Sequence, residues 1–397
     1  MCDDTLDHSR RQLLKLAALF GLSGSMPLLD VMQARAAAEP DAPVRIGYLP
    51  ITDATPLLVA HGRGLFEAEG LKAEAPRMFR SWAQLVEAFI SGQVNVVHLL
   101  SPMTVWSRFS GKVPAKVVAW NHVNGSALTV GPGVKDLAQL AGKTIAVPFW
   151  FSIHNVVLQH MLRSRGLEVI SKGESVGPKQ VKLVVMAPSD MPPALASSQI
   201  AGYIVAEPFN ALAETMKVGK ILRFTGDVWK DHACCVVFMH ERDLNERAAW
   251  SQSVVNAVVK AQLWTKQNRA QAATLLSKDD AHRYTPHASD VLARVLAPKT
   301  AEWDAYKASG ARVNSKWNNQ RIDFQPYPFP SYTEELIQRL KQTVVEGDAS
   351  FLAGLDPSAA AKELVDDRFV KKAIEGVGGL RAFGFPDAFA RSEQVGS

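Results

Sequence analysis

Three cysteines in 397 residues leave little from which to build a disulfide framework. Cys2 falls in a leader-like segment, and Cys234 and Cys235 are neighbours in sequence. Neighbouring cysteines bridge only through a strained ring, since an ordinary disulfide holds its Cα atoms about 5.5 Å apart. The pair is therefore expected to be buried strand residues. No Cys/His grouping has metal-ligand spacing, so the sequence implies neither a metal nor a cofactor. Catalytic signatures are missing too: there is no G-x-S-x-G, no P-loop, no G-x-G-x-x-G after a strand and no H-E-x-x-H. On this reading the chain is not an enzyme. Dense Lys/Arg runs of the kind that grip nucleic acid are also lacking. The formal net charge of +5 is a mild excess on a chain of this length, compatible with an anionic ligand but not diagnostic of one. Beyond the first forty residues no apolar run approaches the roughly 20 residues needed to span a membrane.

What is present begins with an export signature. Ser9-Arg10-Arg11-Gln12-Leu13-Leu14-Lys15 precedes an apolar run over 16–29, and small residues then offer two A-x-A sites, Ala34-Arg35-Ala36 and Ala36-Ala37-Ala38. Paired arginines, a modest apolar stretch and a cleavage site in that order predict a twin-arginine signal peptide over 1–38 and a periplasmic mature chain. Cleavage would leave roughly 360 residues, enough for two lobes of ordinary domain size.

Strand and helix signals alternate directly after the leader. Strands are expected over 44–50, 71–76, 94–100 and 115–120, with helices over 56–66 and 82–91 between them. The pattern starts again with strands over 144–148, 181–186, 203–205 and 220–224 and helices over 153–165 and 188–198. Blocks of this length imply right-handed crossovers and parallel-rich sheets covered on both faces. A further strand over 234–239 follows, and the remainder reads as helical over 250–267, 270–276, 289–296 and 332–346. The expected organisation is α/β: a first lobe over 44–131, an inserted second lobe over 132–232, and a return to the first lobe with helical tail over 233–397. Open α/β sheets bind ligands outside the carboxyl ends of their strands, which here is the cleft between lobes.

Five stretches carry a family resemblance. They are Gly47-Tyr48-Leu49-Pro50-Ile51-Thr52-Asp53-Ala54-Thr55-Pro56-Leu57, the segment 81–103, Pro148-Phe149-Trp150-Phe151-Ser152-Ile153-His154-Asn155, Gly202-Tyr203-Ile204-Val205-Ala206-Glu207-Pro208-Phe209, and Trp229-Lys230-Asp231-His232. In that order the chain resembles the nitrate/bicarbonate/sulfonate group of solute-binding proteins of ABC importers. The resemblance implies a type II periplasmic-binding-protein clamshell that closes on one small solute and hands it to a membrane permease and its ATPase. It also implies site residues. Nitrate-binding members carry a tryptophan at the position of Trp82, a histidine at His154, a lysine at Lys230, and a glutamine where this chain has Ser126. The shorter Ser126 leaves room for a larger solute, such as an organosulfonate or a thiamine-pyrimidine precursor. A thiamine-pyrimidine-synthase-like enzyme is the remaining alternative that the resemblance brings.

Each candidate has a plainer reading beside the functional one. Lys230 supplies an ammonium with three donors, suited to a small oxyanion, or is a solvated lysine before a strand. His154 stands at a predicted helix start, where free N–H groups favour an anion, or is a satisfied structural histidine. Asn155 or Ser152 could cap that helix. Trp82 offers an indole N–H above an apolar wall, or is a core aromatic. Asp53 and Glu207 are candidate acids at the site, pairing with a cation or amine, or simply occupy helix starts. A monomer with no nucleic-acid partner is expected.

Overall fold

The computed structural model describes residues 41–396 except 174, 315, 318 and 319. The leader and its twin-arginine signature lie outside the described residues. Among those described, no helix is long and apolar enough to cross a membrane.

Two sheets form the frame. In the first, β1 (Ile46–Tyr48), β2 (Arg77–Met78), β3 (Val96–Leu100) and β4 (Ala115–Trp120) are joined by a strand from far along the chain, in the order β2-β1-β3-β12-β4. A short strand, β5 (Val123–Asn124), leads out of this lobe. The second sheet holds β6 (Ser126–Val130), β7 (Lys143–Val147), β8 (Glu168–Ile170), β9 (Gln180–Val185), β10 (Gly202–Ala206) and β11 (Lys220–Phe224), in the order β11-β6-β10-β7-β9-β8. Finally β12 (Cys235–His240) returns to the first sheet, antiparallel to both β3 and β4. Pairing is parallel through β2-β1-β3 and through β10-β7-β9-β8. Strands β3, β10 and β12 are buried at every residue, which is why they read as continuous apolar runs rather than alternating ones. The fold is thus a two-lobed α/β clamshell of the type II periplasmic-binding-protein kind.

The second sheet begins at Ser126, six residues ahead of the boundary expected at 132, because β6 pairs antiparallel with β10 and β11. Two more elements escape the local pattern. The strand expected over 71–76 is displaced to Arg77–Met78, with only an isolated bridge from Val44 to Ala73 ahead of it. The helix expected over 188–198 opens as a 3₁₀ turn, Pro188–Asp190, and continues as Met191–Ala196.

The chain crosses between lobes at Asn124-Gly125 and again near Asp231. Both crossings need left-handed backbone: φ is 61° at Asn124, 83° at Gly125 and 49° at Asp231. Glycine enters that region freely, and Asn and Asp are the side-chain-bearing residues that tolerate it best. The crossings are joined side by side, Asn124 Nδ2 donating to Asp231 Oδ1 at 3.4 Å. Beyond them the helical tail packs back on the first lobe through Ala248–Gln267, which lies against Thr55–Gly62 and Arg368–Glu375. Its last residues strap the second crossing: Trp229 Nε1 donates to Glu393 at 2.7 Å and Gly396 N to the Val228 carbonyl at 2.7 Å. The lobes touch across the cleft, with Trp106 stacked on Phe151 at 4.2 Å between ring centroids and Thr52 N donating to the Glu207 carbonyl.

Candidate functional site

Four of the residues singled out in the sequence meet at the hinge. Asp53 sits in the 3₁₀ turn Thr52–Ala54 that follows β1. Trp82 opens the helix Trp82–Ile90, whose cap is the Ser81 hydroxyl accepting from Gln84 N. Ser126 is the first residue of β6, and His154 lies in the first turn of Ile153–Arg163, capped by Ser152. All four are buried. Ser126 Oγ and His154 Nε2 are 2.9 Å apart, and each also approaches Cys234 Sγ, at 3.9 and 3.8 Å. Thus the second lobe's helix start and first strand close over the strand returning to the first lobe.

Beneath them lies a group that local sequence gave no reason to assemble. Asp53 Oδ2 is 3.0 Å from His122 Nε2 and 3.2 Å from Cys235 Sγ. Asn121 donates its side-chain N–H to the Asp53 carbonyl, and Cys235 N lies 3.3 Å from the same His122 nitrogen. His98, on β3, accepts the Leu49 N–H at Nε2, which assigns its proton to Nδ1. Trp82 packs on His98 at 5.4 Å between ring centroids. His232 is buried nearby at the second crossing.

Several of these buried polar atoms have no hydrogen-bond partner within the described chain. They include Trp82 Nε1, Nδ1 of His98, His122 and His154, both ring nitrogens of His232, Asp53 Oδ1 and Asn121 Oδ1. A buried polar atom left unpaired costs on the order of 1–3 kcal/mol. Natural folds pair most such atoms with chain groups or ordered water, and this grouping makes the hinge the candidate site.

Electrostatics follow from burial and from one ion pair. Burial pushes the Asp53 carboxyl up to about 6, with His122 opposing that rise and Cys234 adding to it. Burial alone would lower His122, but the adjacent Asp53 carboxylate outweighs it and holds the imidazolium up to about 10. Near neutral pH the two therefore form a carboxylate–imidazolium pair. Burial keeps His98 near 3 and His232 near 4, so both rings stay neutral, each with one donor and one acceptor nitrogen. Burial would raise the Cys234 thiol, yet the Cys235 S–H and the histidines 154 and 122 together bring it well down, while Cys235 is pushed up.

Residues 37–277 match the NMT1-like family over more than half of the chain. The chain belongs to the NMT1-like family. A curated relative, the nitrate/nitrite binding protein NrtA of Nostoc sp., is 25% identical to this NMT1-like chain over 292 residues, covering 68% of the chain and 64% of the relative. The chain thus spans less than two thirds of that relative's length. Among solved structures, the periplasmic nitrate-binding protein NrtA from Synechocystis PCC 6803 superposes with a TM-score of 0.68 at 18% identity, covering 90% of this chain and 94% of that one. The ligand-binding component of an ABC-type import system from Staphylococcus aureus, solved with zinc bound, gives 0.63 at 24% identity, covering 83% and 98%. These likenesses establish the fold.

The remaining candidates lie outside the cluster. Lys230 is half-buried in the turn at the second crossing, with its backbone N–H on the Gln394 carbonyl and its charge beside Asp231. Asn155 is committed to structure: its amide donates to the carbonyls of Trp150 and Val344, at 2.9 and 3.1 Å, tying the helix start to the tail. Glu207 pairs at 2.7 Å with Arg321, a tail residue buried alongside it, and accepts from Ala211 N. That pairing, rather than a lysine or a ligand amine, balances its charge. Phe151 joins the second lobe to the first through its stack on Trp106, and Trp150 gives its carbonyl to the Asn155 amide. A surface depression of about 1000 Å³ lined by Gly131, Val134, Gln139, Lys143, Ser198 and Gln199 lies at the far end of β6 from the hinge. It contains none of the unpartnered buried atoms.

Proposed function

We propose that this chain is the extracytoplasmic solute-binding subunit of an ABC importer, closing its lobes on a small anion of the nitrate, nitrite or bicarbonate class. One observation carries this reading. Buried ring nitrogens without chain partners belong to both lobes: Trp82 Nε1 and His98 Nδ1 in the first, whose rings pack together, and His154 Nδ1 on a helix start in the second, beside Cys234 of the returning strand. Donors converging on a dry site favour a compact, acceptor-rich ligand, and the helix N-terminus adds partial positive charge. Asp53 does not oppose such a guest, because its charge is matched by His122 at 3.0 Å. Lys230, at the rim of the second crossing, supplies a further full positive charge. The nitrate-binding relative and fold neighbour lend the same direction. A permease and its ATPase would receive the solute, and the chain acts as a periplasmic monomer exported by the twin-arginine route.

Ser126, standing where nitrate-binding members carry a longer amide, favours one second reading: an organosulfonate. A thermal-shift screen of the mature protein with nitrate, nitrite, bicarbonate, taurine, alkylsulfonates and thiamine precursors separates the two. A true ligand at 100 times its Kd stabilises the fold by about 2.7 kcal/mol. A shift with an inorganic anion is the expected result. A shift with sulfonates alone would replace the first reading with the second, and silence with every anion would overturn both.

A further inference from the structure

We infer that Asp53, His122, Cys234 and Cys235 form a binding site for one transition-metal ion of the zinc class, set into the floor of the hinge. Each residue offers one ligand atom, and these atoms all lie within 4.8 Å of one another. In a tetrahedral site with Zn–S near 2.3 Å and Zn–N or Zn–O near 2.0–2.2 Å, ligand atoms stand about 3.3–3.8 Å apart. The pairs Asp53–His122 at 3.0 Å and Asp53–Cys235 at 3.2 Å are already close to that spacing. Rotamer adjustments of an ångström or less would bring the remaining pairs to it.

The donor set selects the ion. Two sulfurs, an imidazole and one carboxylate suit a borderline or soft cation, whereas calcium and magnesium ask for oxygen shells. All four residues are buried, and Asp53 Oδ1 and His122 Nδ1 have no partner among the described residues. A plain hydrogen-bonded staple between crossings would not leave those two atoms idle. The scaffold is also stiff. Cys235 begins β12 opposite Leu100 of β3, and Cys234, one residue earlier, gives its carbonyl to Ser101 N. Asp53 is in a 3₁₀ turn whose carbonyl is held by Asn121, and His122 follows that asparagine directly. Ligands fixed by central strands hold metal geometry better than ligands on free loops.

All four ligands belong to the first lobe and its returning strand, so the ion binds whether the cleft is open or closed, and whatever solute the cleft takes. The second lobe's Ser126 and His154 approach Cys234 from the opposite side. An ion here would therefore sit directly under the proposed anion, and with two thiolates, one carboxylate and a neutral imidazole around a divalent ion the loaded site carries a formal charge of −1. Both cysteines bind as thiolates and His122 as the neutral imidazole, so the protons held by the Cys235 thiol and the His122 imidazolium pass to solvent and loading releases protons.

The test uses the purified mature chain, reduced, stripped with chelator and titrated first with cobalt(II), then with zinc. We expect one equivalent of cobalt to produce thiolate-to-metal charge-transfer absorption and the intense visible bands of tetrahedral cobalt, with protons released and both signals removed by one equivalent of zinc. Cys234→Ser should weaken the charge-transfer band. Asp53→Asn should keep that band and lower affinity about tenfold or more. A stripped wild-type chain that melts cooperatively yet shows no thiolate band overturns the site, as does a band that Cys234→Ser leaves unchanged. Anion binding to the stripped chain is scored separately, so loss of the metal site and loss of the anion reading give different results.

Discussion

Trp82 is a large apolar side chain whose ring is buried while its single polar atom has no partner in the described chain. Replacing it by phenylalanine keeps most of the packing and removes only the donor. A hydrogen bond to a charged group is worth roughly 1.5–3 kcal/mol, so Trp82→Phe should weaken anion affinity by about 10- to 100-fold. The ligand-free melting temperature should barely move. Calorimetric titration beside a thermal melt checks both halves. Lys230→Ala asks about long-range charge instead. The side chain is half-buried and outside the cluster, so its removal should reduce the anion-dependent shift and leave the apo protein stable. An unchanged shift would take Lys230 out of the site. Asn155→Ala should do the reverse: its amide ties Trp150 to Val344, and losing it should cost stability in the absence of any ligand.

At the scale of elements, the tail is bound to the second lobe by charge buried away from water. Arg321 lies between Glu207 at 2.7 Å and Glu214 at 3.2 Å and is 2% exposed. Removing one member of a buried pair strands the other, at about 3–5 kcal/mol. Arg321→Met should therefore lower the melting temperature by roughly 4–7 °C, at about 1.3 °C per kcal/mol for a chain of about 360 residues. Adding Glu207→Gln should recover part of the loss. A second element-level expectation concerns acid. His240, at the end of β12, stacks on Phe89 at 4.0 Å and donates Nε2–H to the Phe89 carbonyl at 2.9 Å. Burial holds its ring near 4; Asp243 favours the charged form, and Arg242 and Arg247 oppose it. The folded state thus keeps His240 neutral while the unfolded chain protonates it near 6.5. Stability from this group is complete above pH 6.5 and is lost as pH falls from there toward 4. Unfolding titrations at pH 7 and pH 5 should show a smaller drop for His240→Gln than for the parent chain, and an equal drop would place the acid sensitivity elsewhere.

For the molecule as a whole, two crossings with left-handed residues join the lobes, and the proposed function expects them to close on ligand. Small-angle scattering of the mature protein should give a smaller radius of gyration with bound anion than without, and a monomer in both states. No change with a ligand that demonstrably binds would mean that the lobes do not move. Local pattern carried much of this architecture. The alternation of short apolar runs with capped helices announced two α/β blocks and a helical tail, because strand and helix periodicity are properties of neighbouring residues. Trp82 and His154 are singled out through the family resemblance, while local pattern makes legible only the helix starts on which they stand. Boundaries were less legible: β6 reads as the end of the first block until its pairing with β10 and β11 assigns it to the second.

The sequence alone determined the α/β class and the helix start on which His154 stands. Only the tertiary structure decided that Asp53, His122, Cys234 and Cys235 share one buried point, and that Glu207 belongs to Arg321. Those pairings join residues 69 to 182 positions apart. No motif spacing records contacts of that kind; the first group exists because strand order in the first sheet places the returning β12 between β3 and β4, and the second because the tail packs against the end of β10.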